Sequence, residues 1–311
     1  MSSGRRRAAP GLLWALLSAT AVFGGAGNAE HPNTAVLVGA GDIADCKKLA
    51  GAKATARLLD SIPGTVFTVG DHAYPDGTAR QFADCYEPTW GRHKARTRPA
   101  VGNHDYHTPG AAPYFAYFGA AAGEPGRGYY SYDVGAWHVV VLNSNCEEVG
   151  CGAGSDQERW LRADLSAHRT QCSLAYWHHP RFSSGKHGGA AEMAALWQAL
   201  HEAGVELAIS GHDHDYERFA PQDATGNLDL ERGVRQLVAG TGGKNTRPLA
   251  EAEPNSEVRA SGAFGVLKLM LSPGRYAWEF VPAAGESFRD SGTGNCHASS
   301  EARALSREGE G

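Results

Sequence analysis

Five short apolar segments of this chain each run straight into side chains that can hold a metal ion. Segment 34–38 leads into Gly41 and Asp42, and 65–69 into Gly70, Asp71, His72, Ala73 and Tyr74. Segment 98–101 leads into Gly102, Asn103, His104 and Asp105, 174–177 into His178, His179 and Pro180, and 205–209 into Gly211, His212, Asp213 and His214. With 137–142, these valine-rich runs read as buried strands. Between several of them, residues 46–59, 156–165 and 190–203 space their apolar positions three and four apart, as a helix does. The alternation predicts an α/β fold. In such a sheet the carboxyl ends of the strands open on one crevice, so the five clusters are expected to converge.

One such cluster would carry little weight, because a glycine–aspartate pair is an ordinary turn and a lone histidine is more often structural than a ligand. The weight lies in five placements of metal-compatible groups at one sheet edge. A glycine at each exit lets the backbone turn sharply and approach an ion closely. Segments 233–239, 264–271 and 275–281 succeed one another through loops or turns alone, which predicts antiparallel additions to the sheet. Gly240-Thr241-Gly242-Gly243 reads as a turn after a strand rather than a phosphate cradle, because no helix pattern comes after it.

Of 311 residues 42% are hydrophobic, enough for an ordinary core. We expect a single domain over 30–285. Residues 1–29 combine Arg5, Arg6 and Arg7, an apolar run over 11–23 and a small-residue end, the layout of a cleavable export signal. The run is too short to span a bilayer comfortably. A twin-arginine signal would suit export of a folded metalloprotein, but Ala8, Ala9 and Pro10 fit that pattern poorly, and the route stays open. Without 1–29 the 29 basic residues fall to 26 against 34 acidic, a net charge of −8, which disfavours nucleic acid as a partner. Residues 286–311 are polar and rich in glycine and serine, the composition of a flexible tail, Cys296 apart. Six cysteines in an exported chain suit disulfides. Cys146 and Cys151 could close a short loop, and Cys46–Cys85 with Cys172–Cys296 is a pairing reached by elimination. A thiolate zinc site would need paired C-x-x-C spacing, which is absent.

The ordered set GD, GD-x-x-Y, GNHD, H-x-P and GHDH resembles the calcineurin-like metallophosphoesterases, and among them the purple acid phosphatase branch. That superfamily usually has D-x-H in its first motif, whereas residue 44 is alanine here. Tyr74, three residues after Asp71, matches the phenolate ligand of the purple acid branch and replaces the lost donor. The resemblance implies two mixed β-sheets packed as a sandwich flanked by helices (α/β/β/α). It also implies one metal ion held by Asp42, Asp71, Tyr74 and His214 and a second by Asp71, Asn103, His178 and His212, with Asp71 bridging. His178 is chosen over His179 because Pro180 completes H-x-P.

The same resemblance implies a secreted dinuclear-metal hydrolase of phosphate esters. The expected activity is that of an acid-phosphatase-type phosphomonoesterase, with a metal-bridged hydroxide as nucleophile and His104 as proton donor to the leaving oxygen. Asp105 is either the group that orients His104 or a plain surface carboxylate. His187 is either a second substrate-facing histidine or a solvated loop residue. Tyr216, Glu217 and Arg218 would shape or buttress the site. Iron is expected at the tyrosine side, with zinc, iron or manganese beside it. The partner is a small phosphate ester, with no membrane after signal cleavage and an oligomeric state left open. A phosphodiesterase or nucleotidase with the same metals is the alternative, since pocket walls decide how many esters the phosphorus carries. A non-catalytic phosphate-binding surface protein would have no need of His104.

Overall fold

Along Trp137–Val141 every side chain is buried, because successive residues point to opposite faces of a sheet that is covered on both sides. Val139 and Val141 enter the core between two sheets, while Val140 packs outward against helices. The computed structural model describes residue 1 and residues 33–168 and 172–297. Pro32–Gly311 is one unit and Met1–His31 another, and the export segment expected over 1–29 lies, Met1 apart, outside the described residues. Among the described residues no helix is long and apolar enough to cross a membrane.

The strands in chain order are β1 (Ala35–Ala40), β2 (Ala44–Asp45), β3 (Thr65–Val69), β4 (Ala73–Tyr74), β5 (Thr97–Ala100), β6 (Tyr130–Val134), β7 (Trp137–Val141) and β8 (Cys172–Tyr176). They continue as β9 (Leu207–Ser210), β10 (Tyr216–Phe219), β11 (Arg235–Ala239), β12 (Ser256–Ala260), β13 (Gly265–Ser272), β14 (Arg275–Pro282) and β15 (Ser291–Asn295). One sheet runs β15-β14-β13-β1-β3-β5 and the other β12-β10-β11-β9-β8-β7-β6. In the first, β1, β3 and β5 are parallel and β13 to β15 are antiparallel additions. In the second, β7, β8, β9 and β11 are parallel.

Leu37, Phe67 and Val69 of one sheet meet Leu174, Tyr176, Leu207 and Ile209 of the other in the central layer. The outer face of the first sheet, Val38 and Val66 among it, is covered by Ala52, Ala56 and Leu59 of helix Ala50–Ser61. The outer face of the second is covered by Leu161 of helix Asp156–Ala167 and by Leu196, Trp197 and Leu200 of helix Ala194–Ala203. This is the expected α/β/β/α sandwich. Ser155 caps the first of those two helices by accepting from the Glu158 amide, and Gly204 ends the second in the left-handed conformation.

Cysteines pair as Cys46–Cys85, Cys146–Cys151 and Cys172–Cys296, as read from the sequence. The tail expected from 286 differs from its compositional reading. Ser291–Asn295 adds an edge strand to β14, and Asp290 accepts from Tyr216, Arg218 and Trp278. Its glycines are what the packing needs. A Cβ on Gly292 would stand 2.3 Å from Trp278, and one on Gly294 2.3 Å from Tyr276. Residues 298–311 lie outside the described residues.

Candidate metal centre

The parallel strands β1, β3, β5, β8 and β9 deliver their exits to one place, and the side chains there face one another through lone pairs. Tyr74 Oη lies 2.7 Å from Asp42 Oδ1, 2.8 Å from Asp71 Oδ2 and 3.3 Å from His214 Nε2. On the other side of Asp71, its Oδ1 is 3.4 Å from His178 Nε2, which is 2.9 Å from Asn103 Oδ1. His212 Nδ1 completes that group, 3.1 Å from Asn103 Oδ1 and 3.2 Å from His178 Nε2. The seven residues thus form two groups that share Asp71.

The backbone is bent to make this possible. Asp42, Asp71 and His212 adopt left-handed φ angles of 59°, 56° and 68°, which side chains rarely adopt outside tightly determined sites. Gly102 lets β5 pass close by, since a Cβ there would stand 2.2 Å from Asp71 Oδ1. Short strands β2 and β4 pair in parallel and bring Tyr74 in; Ala44, at the place of the missing histidine, is a buried member of that ribbon opposite Ala73.

Backbone carbonyls set the histidine tautomers. His178 Nδ1 donates to Val69 O at 2.7 Å and His214 Nδ1 to Asn245 O at 2.6 Å, which leaves each Nε2 turned toward the carboxylates. Burial works against the charge on Asp42 but is outweighed by the hydrogen bond and charge of His214, by His178 and by the Tyr74 hydroxyl, so this carboxyl sits below its ordinary range. Burial, then the charges of Asp42 and Asp71, push the Tyr74 phenol well above its usual value. Burial and the neighbouring His178 push His179 down to about 3.

This donor set fits a pair of cations. One phenolic proton cannot serve two carboxylates at once, and His178 Nε2, Asn103 Oδ1, His212 Nδ1 and Asp71 Oδ1 are crowded in a largely buried space. Unpaired buried charges of one sign are costly unless an opposite charge joins them. Asp42, Asp71 and His178 also present ligand atoms within 4.8 Å of one another, as do His178, His179 and His212.

Around these groups one expectation needs correcting. Asp105 neither orients His104 nor lies on the surface. It is fully buried and binds His72 Nδ1 at 3.0 Å and the Gly102 amide at 2.9 Å, so it braces two of the exits. His104 itself donates from Nδ1 to Pro75 O at 2.5 Å and turns Nε2 toward Asp71 Oδ2 at 3.8 Å. His179 Nδ1 lies 2.9 Å from Ser144 Oγ, and its ring stands 4.4 Å from that of His212. The His187 ring lies 4.5 Å from that of His212, and its amide donates to Asp213 Oδ1. Glu217 accepts from the amide and hydroxyl of Ser184 and so buttresses the same loop, while Tyr216 and Arg218 bind Asp290 instead.

The loop after β11 reaches the site without having stood out in the sequence. Lys244 donates its amide to Asp42 O and stands 4.6 Å over the Tyr74 ring, and Arg247 contacts His187 Nε2. The one signal for it was the glycine run 240–243, which folds as the predicted turn against the first motif: the Gly242 amide donates to Gly41 O.

The chain is similar to known proteins in sequence and in fold. At 32% identity the chain is similar to purple acid phosphatase 21 of Arabidopsis thaliana, over 54% of this chain and 42% of that protein. It is 26% identical to purple acid phosphatase 18 of the same plant, over 78% and 58%. The chain thus matches about half the length of these curated relatives. A purple acid phosphatase from yellow lupin seeds shares the fold with a TM-score of 0.70 at 18% identity, covering 85% of this chain and 54% of that one. The family model described as calcineurin-like phosphoesterase matches residues 19–216, and the chain belongs to that family.

Proposed function

We propose that this chain is an exported hydrolase of phosphate esters, most readily a phosphomonoesterase of the acid-phosphatase type, working with two bound metal ions. The observation that carries the reading is the shared position of Asp71 between the Asp42–Tyr74–His214 group and the Asn103–His178–His212 group. A carboxylate with its two oxygens turned to different donor sets is what a pair of adjacent cations requires. Asp42, Tyr74 and His214 would hold one ion with Asp71, and Asn103, His178 and His212 the other. The hard phenolic oxygen of Tyr74 favours a ferric ion on its side, with zinc, iron or manganese on the other.

When bound, the cations supply the positive charge that acidifies a shared water and offsets charge on the phosphoryl oxygens. The side chains do the rest. Val69 O and Asn245 O keep His178 and His214 in the tautomer that presents Nε2. Pro75 O holds the His104 ring by Nδ1, so Nε2 is the atom that carries a proton to the departing alcohol. Arg247, beside His187 at the rim, is placed to offset the charge of an incoming phosphate. Export is supported by the layout of 1–29 and by the three disulfides.

The test is turnover of p-nitrophenyl phosphate beside its bis-ester by metal-reconstituted protein. Faster hydrolysis of the monoester is expected. Hydrolysis of neither ester would refute the enzymatic reading, and a preference for the bis-ester would make the chain a phosphodiesterase.

A further inference from the structure

Lys244 enters the metal centre from the loop after β11 without being one of its donors. Its Nζ stands 4.6 Å from the centroid of the Tyr74 ring, and among the described residues it is the one lysine or arginine set over that ring. The Asp45 carboxylate holds it there, with Oδ2 2.8 Å from Nζ. Asp45 lies opposite Tyr74 in the β2–β4 ribbon, so anchor and ring belong to the same short piece of sheet.

The loop that carries Lys244 is tightly seated. The Lys244 amide donates to Asp42 O at 2.8 Å and the Gly242 amide to Gly41 O at 2.8 Å. From helix Ala50–Ser61, Thr55 Oγ1 donates to Gly242 O at 2.5 Å, and a Cβ on Gly243 would stand 2.2 Å from the Ala52 amide nitrogen. Fixed backbone therefore presents the ammonium, whose side chain is only 19% exposed. The electron-rich face of an aromatic ring attracts such a cation, the more strongly the less water surrounds it. Asp42 and Asp71 meet the same ring at its hydroxyl end, so a deprotonated Tyr74 would be the third negative charge in a buried space.

We infer that Lys244 is a positioning residue that acts through Tyr74: its ammonium draws on the π electrons of the ring and so weakens the phenolate as an electron donor to the ion it would hold. The inference rests on the proposed pairing of Tyr74 with ferric iron and deepens it by naming the group that tunes that pairing. A positive charge over the ring lowers the energy of its electrons. Charge transfer from the phenolate to iron then takes a more energetic photon than it would without Lys244. Tyr74 also gives up less charge to the ion, which favours ionisation of a shared water.

The experiment records the visible spectrum, the iron content and the kinetics on p-nitrophenyl phosphate of the iron-loaded full chain beside Lys244→Met and Lys244→Arg. Lys244→Met is expected to move the phenolate-to-iron band to longer wavelength by roughly 10–20 nm, the order of effect that a cation over a ring has on a visible transition. At equal iron content its kcat is expected to fall several-fold while KM stays within about twofold, since Lys244 acts through Tyr74 and not on the substrate. Lys244→Arg keeps the charge and is expected to restore both the band and kcat. A band that Lys244→Met leaves in place, or that Lys244→Arg moves as far, would overturn the inference, because neither fits a charge acting on the ring. A rise in KM with an unmoved band would make Lys244 a phosphate-binding group, and loss of iron from either variant would make it a residue that builds the site; both outcomes overturn the inference as well. An iron-loaded unaltered chain without any such band would instead overturn the pairing of Tyr74 with iron, and the role of Lys244 with it.

Discussion

At the residue scale, chemistry here turns on what each atom faces. Tyr74 Oη lies between two carboxylates and a histidine, so an iron-loaded protein is expected to show a visible phenolate-to-iron absorption band that Tyr74→Phe abolishes. A band retained in that variant would remove Tyr74 from the ligand set. The role proposed for His104 is to protonate the leaving oxygen. His104→Asn should therefore lower kcat by about 10²–10⁴ on alkyl phosphates, and by much less on p-nitrophenyl phosphate, whose leaving group hardly needs a proton. Equal losses on both would make His104 a binding group instead. The side chains of this site were legible because aspartate, asparagine, histidine and tyrosine announce their chemistry by type and spacing. What orients them was not. Val69, Pro75 and Asn245 act through backbone carbonyls, which every residue has, and Asp105 looks the same in sequence whether it braces His72 or faces solvent.

Elements carry these residues to one edge, and their exits tolerate little. A methyl group on Gly102 would collide with Asp71, so Gly102→Ala should abolish metal uptake while far-ultraviolet circular dichroism stays close to that of the unaltered chain. Full metal content in this variant would contradict the close approach. Away from the site, His138 of β7 is clamped between Asp133 of β6 at 2.8 Å and Asp164 of helix Asp156–Ala167 at 2.8 Å. Burial opposes its charge but the bonds to Asp164 and Asp133 outweigh this, and its pKa rises on folding. A raised folded value stabilises the fold fully below the unfolded value of about 6.5, and the contribution is lost as pH climbs through the folded value. The Tm gap between the chain and His138→Gln is expected to be wider at about pH 6 than at about pH 9; a gap independent of pH would show that the clamp carries no charge. Strands with continuous apolar runs, such as β7 and β8, were legible from those runs. Edge strands were not, because β12 alternates around a half-exposed face and β15 owes its place to glycines that admit the rings of Trp278 and Tyr276.

Across the whole molecule, three disulfides join distant parts of the chain to different degrees. Cys172–Cys296 spans 124 residues and ties β8 to the end of β15, whereas Cys146–Cys151 spans 5. By chain entropy, opening the long link with paired alanines should cost roughly 4–5 kcal/mol and the short one about 2 kcal/mol, measurable as shifts in the urea midpoint. Equal shifts would mean that local packing, not loop closure, sets their value. The sandwich as a whole brings five strand exits together around Asp71. The most direct measurement of a two-cation centre there is the rate of p-nitrophenyl phosphate hydrolysis as metal is added stepwise to the metal-free chain. We expect the rate to rise until two equivalents are bound and then level off. A plateau at one equivalent, or no hydrolysis at any metal content, would contradict it.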